Sequence, residues 1–200
     1  MHRPTLLLPF FLLSACAAEP DIPAEPIAQS PTPVFDPAAF FTGPSRGEGR
    51  LKVIFDDTVP IAVRSSGRME GAVLVLDQTI REGAKSPRER QWRLRRTGSG
   101  VWEGSLTDTV DTVRAEVEGN RLTIRYTMDD GMGVRQDLTL SDDGMRAYNS
   151  LHVRYLGLTV ARLEELIARL PTADEAATEA SETETSGNPG AESEALAPNG

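Results

Sequence analysis

Residues 119–140 read GNRLTIRYTMDDGMGVRQDLTL, and this stretch decides the fold class. Between 121 and 128 every second residue is apolar, which gives one face to Leu122, Ile124, Tyr126 and Met128. Between 134 and 140 the same period gives one face to Val134, Gln136, Leu138 and Leu140. A period of two is typical of a β-strand with one buried face. Because Gly119-Asn120 has turn composition, we infer antiparallel strands joined by tight turns.

The same alternation recurs along the chain in both directions. The further runs are 49–55 (Leu51, Val53, Phe55), 61–69, 72–82 (Leu74, Leu76, Ile80), 89–97 (Trp92, Leu94), 101–106, 112–117 and 145–153 (Met145, Ala147, Asn149, Leu151, Val153). Short turn-forming segments separate these runs, which indicates that strands adjacent in sequence pair with each other. The pattern predicts eight or nine strands in an antiparallel meander.

One segment departs from this period. In 159–170 the apolar residues recur at helical spacing: Val160, Leu163, Leu166, Ile167 and Leu170. Thr159 could cap the start of a helix, and Pro171 follows its end. A long antiparallel sheet must form a sandwich or close, and closure removes the exposed edges. We therefore expect an all-β fold, a small lipocalin-like barrel of eight or nine strands with one C-terminal helix.

The charge of the chain is unevenly distributed. The formal net charge is −9, but residues 35–170 contain 20 acidic and 20 basic residues and are neutral. The excess acid lies in 17–34 and in 171–200, and the latter segment has seven acidic residues and no Lys or Arg. The net charge argues against nucleic-acid binding, because a phosphate backbone attracts clustered Lys and Arg. Residues 171–200 are too polar to bury a core, and we predict a disordered acidic tail.

The N-terminus has the composition of a bacterial export signal. A basic start precedes the apolar residues 6–13, which are too few to span a bilayer. The following Leu13-Ser14-Ala15-Cys16 resembles the lipobox of bacterial lipoproteins, in which the Cys is modified with acyl chains such as palmitate. Cys16 is the single cysteine of the chain, so we predict that it is lipidated. The alternative is an ordinary cleaved signal with an incidental Cys.

These features divide the chain into four segments. We predict a lipoprotein signal peptide at 1–15, a lipidated Pro-rich linker at 16–34, a lipocalin-like barrel at 35–170 and the acidic tail at 171–200. Closely spaced prolines favour an extended linker that holds the domain away from the membrane. The predicted location is the bacterial cell envelope, anchored by Cys16. Ala17 after the Cys favours the outer membrane, on its periplasmic side, by resemblance to enterobacterial sorting.

Several short motifs resemble a family of bacterial lipoproteins of unknown function, domain of unknown function 3833. The motifs are Phe40-Phe41-Thr42-Gly43, Leu76-Asp77-Gln78, Arg90-Gln91-Trp92-Arg93-Leu94, Val101-Trp102-Glu103-Gly104, Gly119-Asn120 before Tyr126, and Tyr155-Leu156-Gly157-Leu158. The resemblance covers about 35–160 and implies an envelope lipoprotein with a lipocalin-like barrel. The family pattern has Glu at the position of Gln78, Asp-Asp at Gln136-Asp137, Trp at Leu138, and Asn at Asn149. Two usual carboxylates are therefore amides in this chain.

The alternation places three amides, Gln78, Gln136 and Asn149, on the apolar face. We predict that they form the polar part of a ligand-binding pocket that Trp92 and Tyr126 also line. An amide without a partner costs about 1–3 kcal/mol in an apolar interior, so these residues require an explanation. The alternative is that they lie near the barrel rim or bond one another.

The run 81–96 is basic, with Arg81, Lys85, Arg88, Arg90, Arg93, Arg95 and Arg96. We interpret it as two solvated strand faces, and nearby acidic residues balance their charge. The alternative is a patch that meets phosphate head groups, because Arg binds phosphate through a bidentate fork.

Motifs of catalysis are absent from the sequence. There is no Gly-x-Ser-x-Gly elbow, no phosphate-binding loop and no EF-hand spacing, and His152 alternates outward. We expect no catalytic residue, no metal and no cofactor. The leading hypothesis is an envelope lipoprotein whose barrel binds a small amphiphile or lipid, with the membrane as a partner through Cys16. The alternative is a pocketless scaffold that recruits an unidentified protein through the barrel exterior or the acidic tail.

Overall fold

The computed structural model describes residues 26–172, and within them the fold is one short helix and ten strands. The elements are α1 (Pro37–Phe41), β1 (Gly43–Val53), β2 (Val59–Glu70), β3 (Val73–Glu82), β4 (Arg88–Gly98), β5 (Val101–Leu106), β6 (Val113–Glu118), β7 (Arg121–Thr127), β8 (Gly133–Leu140), β9 (Arg146–Tyr155) and β10 (Leu158–Arg169). Each strand pairs antiparallel with the next one along the chain, and β1 pairs with β10. The sheet is therefore a closed meander, which confirms the all-β class and the closure.

The predicted strand count and the predicted C-terminal helix are wrong. Residues 159–170, expected to be helical, belong almost entirely to β10, which pairs with β9 on one side and β1 on the other. The inward face of β10 contains Leu163, Glu165 and Ile167, all buried. These residues have a period of two, and Glu165 conceals it because an acidic residue occupies an apolar position. The hydrogen bonds that close the sheet outweigh the local helical spacing.

The predicted inward faces of β7 and β8 are confirmed. Six of their residues are buried in the interior: Leu122, Ile124, Tyr126, Val134, Leu138 and Leu140. Two other expected inward residues do not line the cavity. Phe55 is in the β1–β2 turn and is 97% exposed, and Met145 is exposed in the β8–β9 turn. In both places the alternation continues in the sequence beyond the point where the pairing ends.

The two ends of the barrel differ. At the end that we call the closed end, α1 brings the aromatic rings of Phe35, Phe40 and Phe41 together, with centroids 5.0–6.3 Å apart. These rings are buried against core residues of the strands. Asp36 caps α1 by accepting backbone hydrogen bonds from Ala38 and Ala39. The opposite end, which we call the open end, has no such plug among the described residues and is formed by the β1–β2, β3–β4, β5–β6, β7–β8 and β9–β10 turns.

The described part of the Pro-rich linker lies against the closed end. Asn120, fully buried in the β6–β7 turn, accepts a hydrogen bond from Ser30 N at 2.8 Å through its Oδ1. Its Nδ2 donates to the carbonyl oxygens of Ala28 and Leu140. The chain thus enters the domain at the closed end, held there several residues before the predicted start at 35. No helix in residues 26–172 is long and apolar enough to cross a membrane.

Candidate functional site

The interior of the barrel is hollow. A cavity of about 660 Å³ extends from Phe41 at the closed end to Ile54, Lys85 and Tyr155 at the open end. Its wall is mostly apolar, with Leu, Ile and Val side chains from most of the strands. A cavity of this size and lining is typical of sites for small molecules.

All five predicted ligand-binding residues lie in the wall of this cavity: Gln78, Trp92, Tyr126, Gln136 and Asn149. Gln78 on β3 is bonded on both sides. Its Oε1 accepts a 2.6 Å hydrogen bond from Trp92 Nε1, and its Nε2 donates to Ser65 Oγ at 3.1 Å. The amide and the indole therefore satisfy each other, and Gln78 holds the Trp92 ring in place.

Tyr126 continues this arrangement across the sheet. Its ring meets that of Trp92 edge to face, with centroids 5.6 Å apart and an interplanar angle of 85°. Gln136 on the neighbouring β8 donates from Nε2 to the Tyr126 hydroxyl at 3.0 Å, and this bond is buried. Gln78 and Gln136 therefore bond to neighbouring side chains and not to each other. The alternative that the amides bond one another does not describe these two residues.

Asn149 has a partner that sequence reasoning missed. Its Nδ2 donates to Glu165 Oε2 at 3.0 Å, and both side chains are buried. Burial raises the pKa of Glu165, and the hydrogen bond from Asn149 offsets only part of this increase. This shift favours the protonated form of Glu165 over a wider pH range than for an exposed carboxyl. Asn149 Oδ1 is buried without a hydrogen-bond partner among the described residues.

Two glycines on β1 leave the space that Glu165 occupies. A Cβ at Gly47 would lie 1.8 Å from Glu165 Oε1, and a Cβ at Gly49 would lie 2.1 Å from the backbone oxygen of Glu164. Real Cβ atoms do not approach so closely, so a Cβ at Gly49 would collide with the backbone, and a Cβ at Gly47 would require the Glu165 side chain to move. The sequence contained a signal for Glu165. Every second residue from 163 to 167 gives Leu163, Glu165 and Ile167, so Glu165 is the acidic member of an otherwise apolar face.

Charged residues occur near the cavity's open end. Arg90 is buried and lies 3.5 Å from Asp108, while Arg88 and Lys85 contact Glu82. Burial opposes ionisation of Glu82, but its contacts with Arg88 and Lys85 outweigh this effect and lower its pKa. These ion pairs leave little unbalanced charge at this part of the mouth.

The rest of the basic run does not line the cavity. Arg93 pairs with Glu70, and Arg96 lies over the Trp102 ring at 5.5 Å. Lys85, Arg88 and Arg90 therefore lie at the mouth, whereas Arg93 and Arg96 do not line the cavity. Most residues of the basic run are solvated and have acidic neighbours.

The polar side chains deep in the cavity can form hydrogen bonds, and the charged side chains of its wall lie near the open end. Among residues 26–172, no group of three His, Cys, Asp or Glu side chains is placed to hold a metal ion. Cys16, the predicted signal peptide and nearly all of the predicted acidic tail lie outside the described residues. Their predicted roles stay predictions.

Two solved structures show the same barrel architecture at low sequence identity. The S-type phycobiliprotein lyase CPES from Guillardia theta is 6% identical, with a TM-score of 0.55 over 67% of this chain and 90% of that one. Rv2717c from M. tuberculosis is 15% identical, with a TM-score of 0.50 over 68% of this chain and 99% of that one. At such identities the likeness shows the fold alone, a lipocalin-like barrel.

No curated protein sequence matches this chain. The motifs that resemble domain of unknown function 3833 are distributed through the barrel, from α1 to the β9–β10 turn. The family model described as "Protein of unknown function (DUF3833)" matches residues 10–167. The chain therefore belongs to this family.

Proposed function

We propose that this protein is a bacterial envelope lipoprotein whose barrel binds a small amphiphile. The observation that carries the proposal is the mostly apolar cavity of about 660 Å³ with inward-facing amides. Apolar walls with a few placed polar groups bind the apolar part of a ligand and orient its polar part. The apolar part would lie against the aliphatic wall, and the polar part would meet the amides.

The polar groups restrict the chemistry of the ligand. Asn149 Oδ1 is a buried acceptor that lacks a donor, and leaving it unpaired costs about 1–3 kcal/mol. A ligand hydroxyl, amide or amine N–H could supply the missing donor. A charged inner group would lose its hydration against this mostly apolar wall, which is costly. We therefore propose a ligand whose inner polar group is uncharged and donates a hydrogen bond.

Binding without catalysis fits this set of groups. The cavity's deep polar residues are amides, a tyrosine and a carboxyl whose pKa burial raises. The family's carboxylate positions at Gln78 and Gln136 carry amides here, so proton transfer by those two residues is not available.

The membrane anchor is a separate part of the proposal. Lipidation of Cys16 would hold the barrel at the envelope, on the periplasmic side of the outer membrane. We expect the mature chain to begin at Cys16 with a covalent acyl mass, measured by mass spectrometry of the protein extracted from membranes. A mature N-terminus at any other residue would contradict this part while leaving ligand binding untouched.

The test of ligand binding uses the full chain kept in solution by an amphipathic polymer. The probe is N-phenyl-1-naphthylamine, which is uncharged, has one N–H donor and becomes fluorescent in apolar surroundings. We expect saturable emission with one probe for each chain. Val63→Trp should reduce this signal several-fold, because Val63 lies in the wall and an indole there occupies part of the space that the probe needs.

The matched control is Ala62→Trp on the same strand. Ala62 is exposed, so its indole lies outside the barrel, and binding should be unchanged. Probe bound by the polymer alone is equal in both samples and cancels. Equal emission from the two variants would show that the probe does not enter the cavity, and the proposal would fail.

A further inference from the structure

Two neighbouring turns give one side of the open end an apolar edge. Phe55 is 97% exposed at the tip of the β1–β2 turn, and Leu156 is 86% exposed at the tip of the β9–β10 turn. Ile54, Tyr155 and Leu158 beside them are also exposed. We call these five residues the apolar lip. Single exposed apolar residues are common, but a contiguous group on turn tips indicates a surface that binds something.

The pairing of β1 with β10 is what brings the two turns together. Ile54 N donates to the carbonyl oxygen of Val160 at 2.8 Å, so the β1–β2 turn lies directly beside the start of β10. Phe55 and Leu156 both have positive φ, 67° and 49°, a conformation that large side chains adopt at an energetic cost. Nothing inside the barrel uses the Phe55 side chain. A conformation that costs energy and exposes an aromatic ring is expected where the ring has a contact outside the protein.

Basic residues lie just below the lip on the outer face. Lys52, Arg162 and His152 are aligned across β1, β10 and β9, and Arg154 pairs with Thr159 one step closer to the lip. Within residues 26–172, Arg154 and Arg162 form no ion pair. Asp56 and Asp57 in the β1–β2 turn reduce the local charge without reversing it. An apolar edge above a basic row is the arrangement of surfaces that bind anionic lipid bilayers.

The β5–β6 turn lies across the mouth from the lip, and the β7–β8 turn lies next to the β9–β10 turn, because β8 pairs with β9. Both turns are acidic. The β5–β6 and β7–β8 turns contain Asp108, Asp111, Asp129 and Asp130. An anionic membrane surface would repel these turns and attract the lip side. The charge distribution therefore favours a tilted contact through the lip and not through the whole rim.

We propose that the apolar lip docks onto the surface of an anionic phospholipid bilayer. Phe55 and Leu156 enter the interface, and Lys52, Arg154 and Arg162 face the phosphates. Ile54 and Tyr155 belong to the lip and also line the cavity, so a docked barrel opens its cavity toward the lipid. Docking is independent of the ligand proposed above, because the lip residues are exposed whether the cavity is filled or empty.

An anchor at Cys16 is compatible with this contact. The chain is fixed to the closed end from Ala28 onward, and twelve residues span at most about 40 Å. Strands of twelve residues, tilted by about 40°, give a barrel about 30 Å tall. The tether and the lip can therefore reach the same membrane.

The experiment places a reporter indole at each end of the full chain, reconstituted in vesicles of phosphatidylcholine and phosphatidylglycerol. Phe55→Trp reports on the lip, and Met145→Trp, also on an exposed turn, reports on the closed end. The unmodified chain gives the background of Trp92 and Trp102. We expect lipids brominated on their acyl chains to quench Phe55→Trp and to leave Met145→Trp unchanged. Since any anchor at the N-terminus acts equally on both variants, the difference reports lip contact.

A charge test accompanies the reporter. Arg154→Gln with Arg162→Gln should reduce quenching of Phe55→Trp by roughly half or more on these vesicles. Vesicles of phosphatidylcholine alone should give the same reduction without any substitution. Equal quenching of the two reporters would overturn docking, and so would the absence of quenching in Phe55→Trp. The second result is also the one expected if the lip binds a protein and not a membrane. Neither result would affect binding of N-phenyl-1-naphthylamine in the cavity.

Discussion

Trp92 Nε1 and Gln78 Oε1 lie 2.6 Å apart, so the indole N–H of one barrel strand is satisfied by the amide of its neighbour. The Gln78 amide is anchored in turn by Ser65 Oγ. Gln78 therefore places a polar group in a mostly apolar wall, and hydrogen bonds within the protein satisfy that group. The consequences of this bond can be measured.

Gln78→Leu should lower the free energy of unfolding by about 1–3 kcal/mol, because the Trp92 N–H would be left without an acceptor. Gln78→Glu retains an acceptor oxygen and should cost less. Urea denaturation followed by tryptophan fluorescence measures both. Gln91→Leu is the control, since Gln91 bonds Asp77 on the outer face, where water can replace the lost partner. Equal costs for Gln78→Leu and Gln91→Leu would contradict the role of the buried bond.

Gln136→Leu should weaken binding of N-phenyl-1-naphthylamine by about fivefold, the equivalent of one hydrogen bond of about 1 kcal/mol. The amide also holds the Tyr126 hydroxyl, so the substitution removes two polar groups from their positions. Tyr126→Phe removes the hydroxyl alone and should have a smaller effect. Gln91→Leu, the same change on the outer face, should leave affinity unchanged. Full affinity in Gln136→Leu would mean that this amide is structural only.

Glu165 should make the protein less stable as pH rises. Burial raises the pKa of Glu165 above its ordinary value of about 4.3, so the folded state retains a proton that the unfolded state releases. The stabilisation is complete below that ordinary pKa and is lost as pH rises through the raised value. Glu165→Gln removes this dependence. Unfolding midpoints in urea from pH 4 to 8 should therefore fall in the natural protein relative to Glu165→Gln.

The slope of that difference has an upper limit of about 1.4 kcal/mol per pH unit, the value for one proton. Carboxylates with lowered pKa, such as Asp137 and Glu116, stabilise the fold less at acidic pH. This loss is the same in both proteins, so it cancels in the difference between their stabilities. Parallel curves for the two proteins would show that Glu165 titrates alike in the folded and unfolded states.

Gly47 and Glu165 should be energetically coupled. Gly47→Ala places a methyl group where Glu165 Oε1 lies, and the carboxyl must move away from Asn149. We expect a cost of about 1–3 kcal/mol, most of which should disappear in a Glu165→Ala background. Gly49→Ala is the matched case, because its methyl group meets the backbone of Glu164 and its cost should persist. Strictly additive costs for Gly47 and Glu165 would exclude the coupling.

The alternation of apolar residues was enough to predict the barrel and most of its wall. Nine of the ten strands occur where the period of two is present, and Gln78, Gln136 and Asn149 face inward as expected. The tenth strand and Glu165 were missed for one shared reason. An acidic residue at an inward position removes the apolar alternation from 159–170, and the remaining apolar residues fall at helical spacing. Only pairing with β1, a contact between distant parts of the chain, distinguishes the two structures.

The partners of the amides were not predictable in the same way. Alternation reports which face a side chain takes, and it does not report the register between strands. The register sets Gln136 beside Ile124 and Asn149 beside Glu165, and those pairings decide which hydrogen bonds form. The apolar lip was hidden similarly, because Phe55 continues the alternation of β1 into a turn.

The pairing of β1 with β10 also constrains how the chain can fold. The hydrogen bonds that complete the ring join the earliest strand to the latest, so every shorter fragment is an open sheet with two unsatisfied edges. The ring cannot close before the final strand is available, and until then the two open edges can pair with other chains, so this protein is most prone to aggregation before β10 docks.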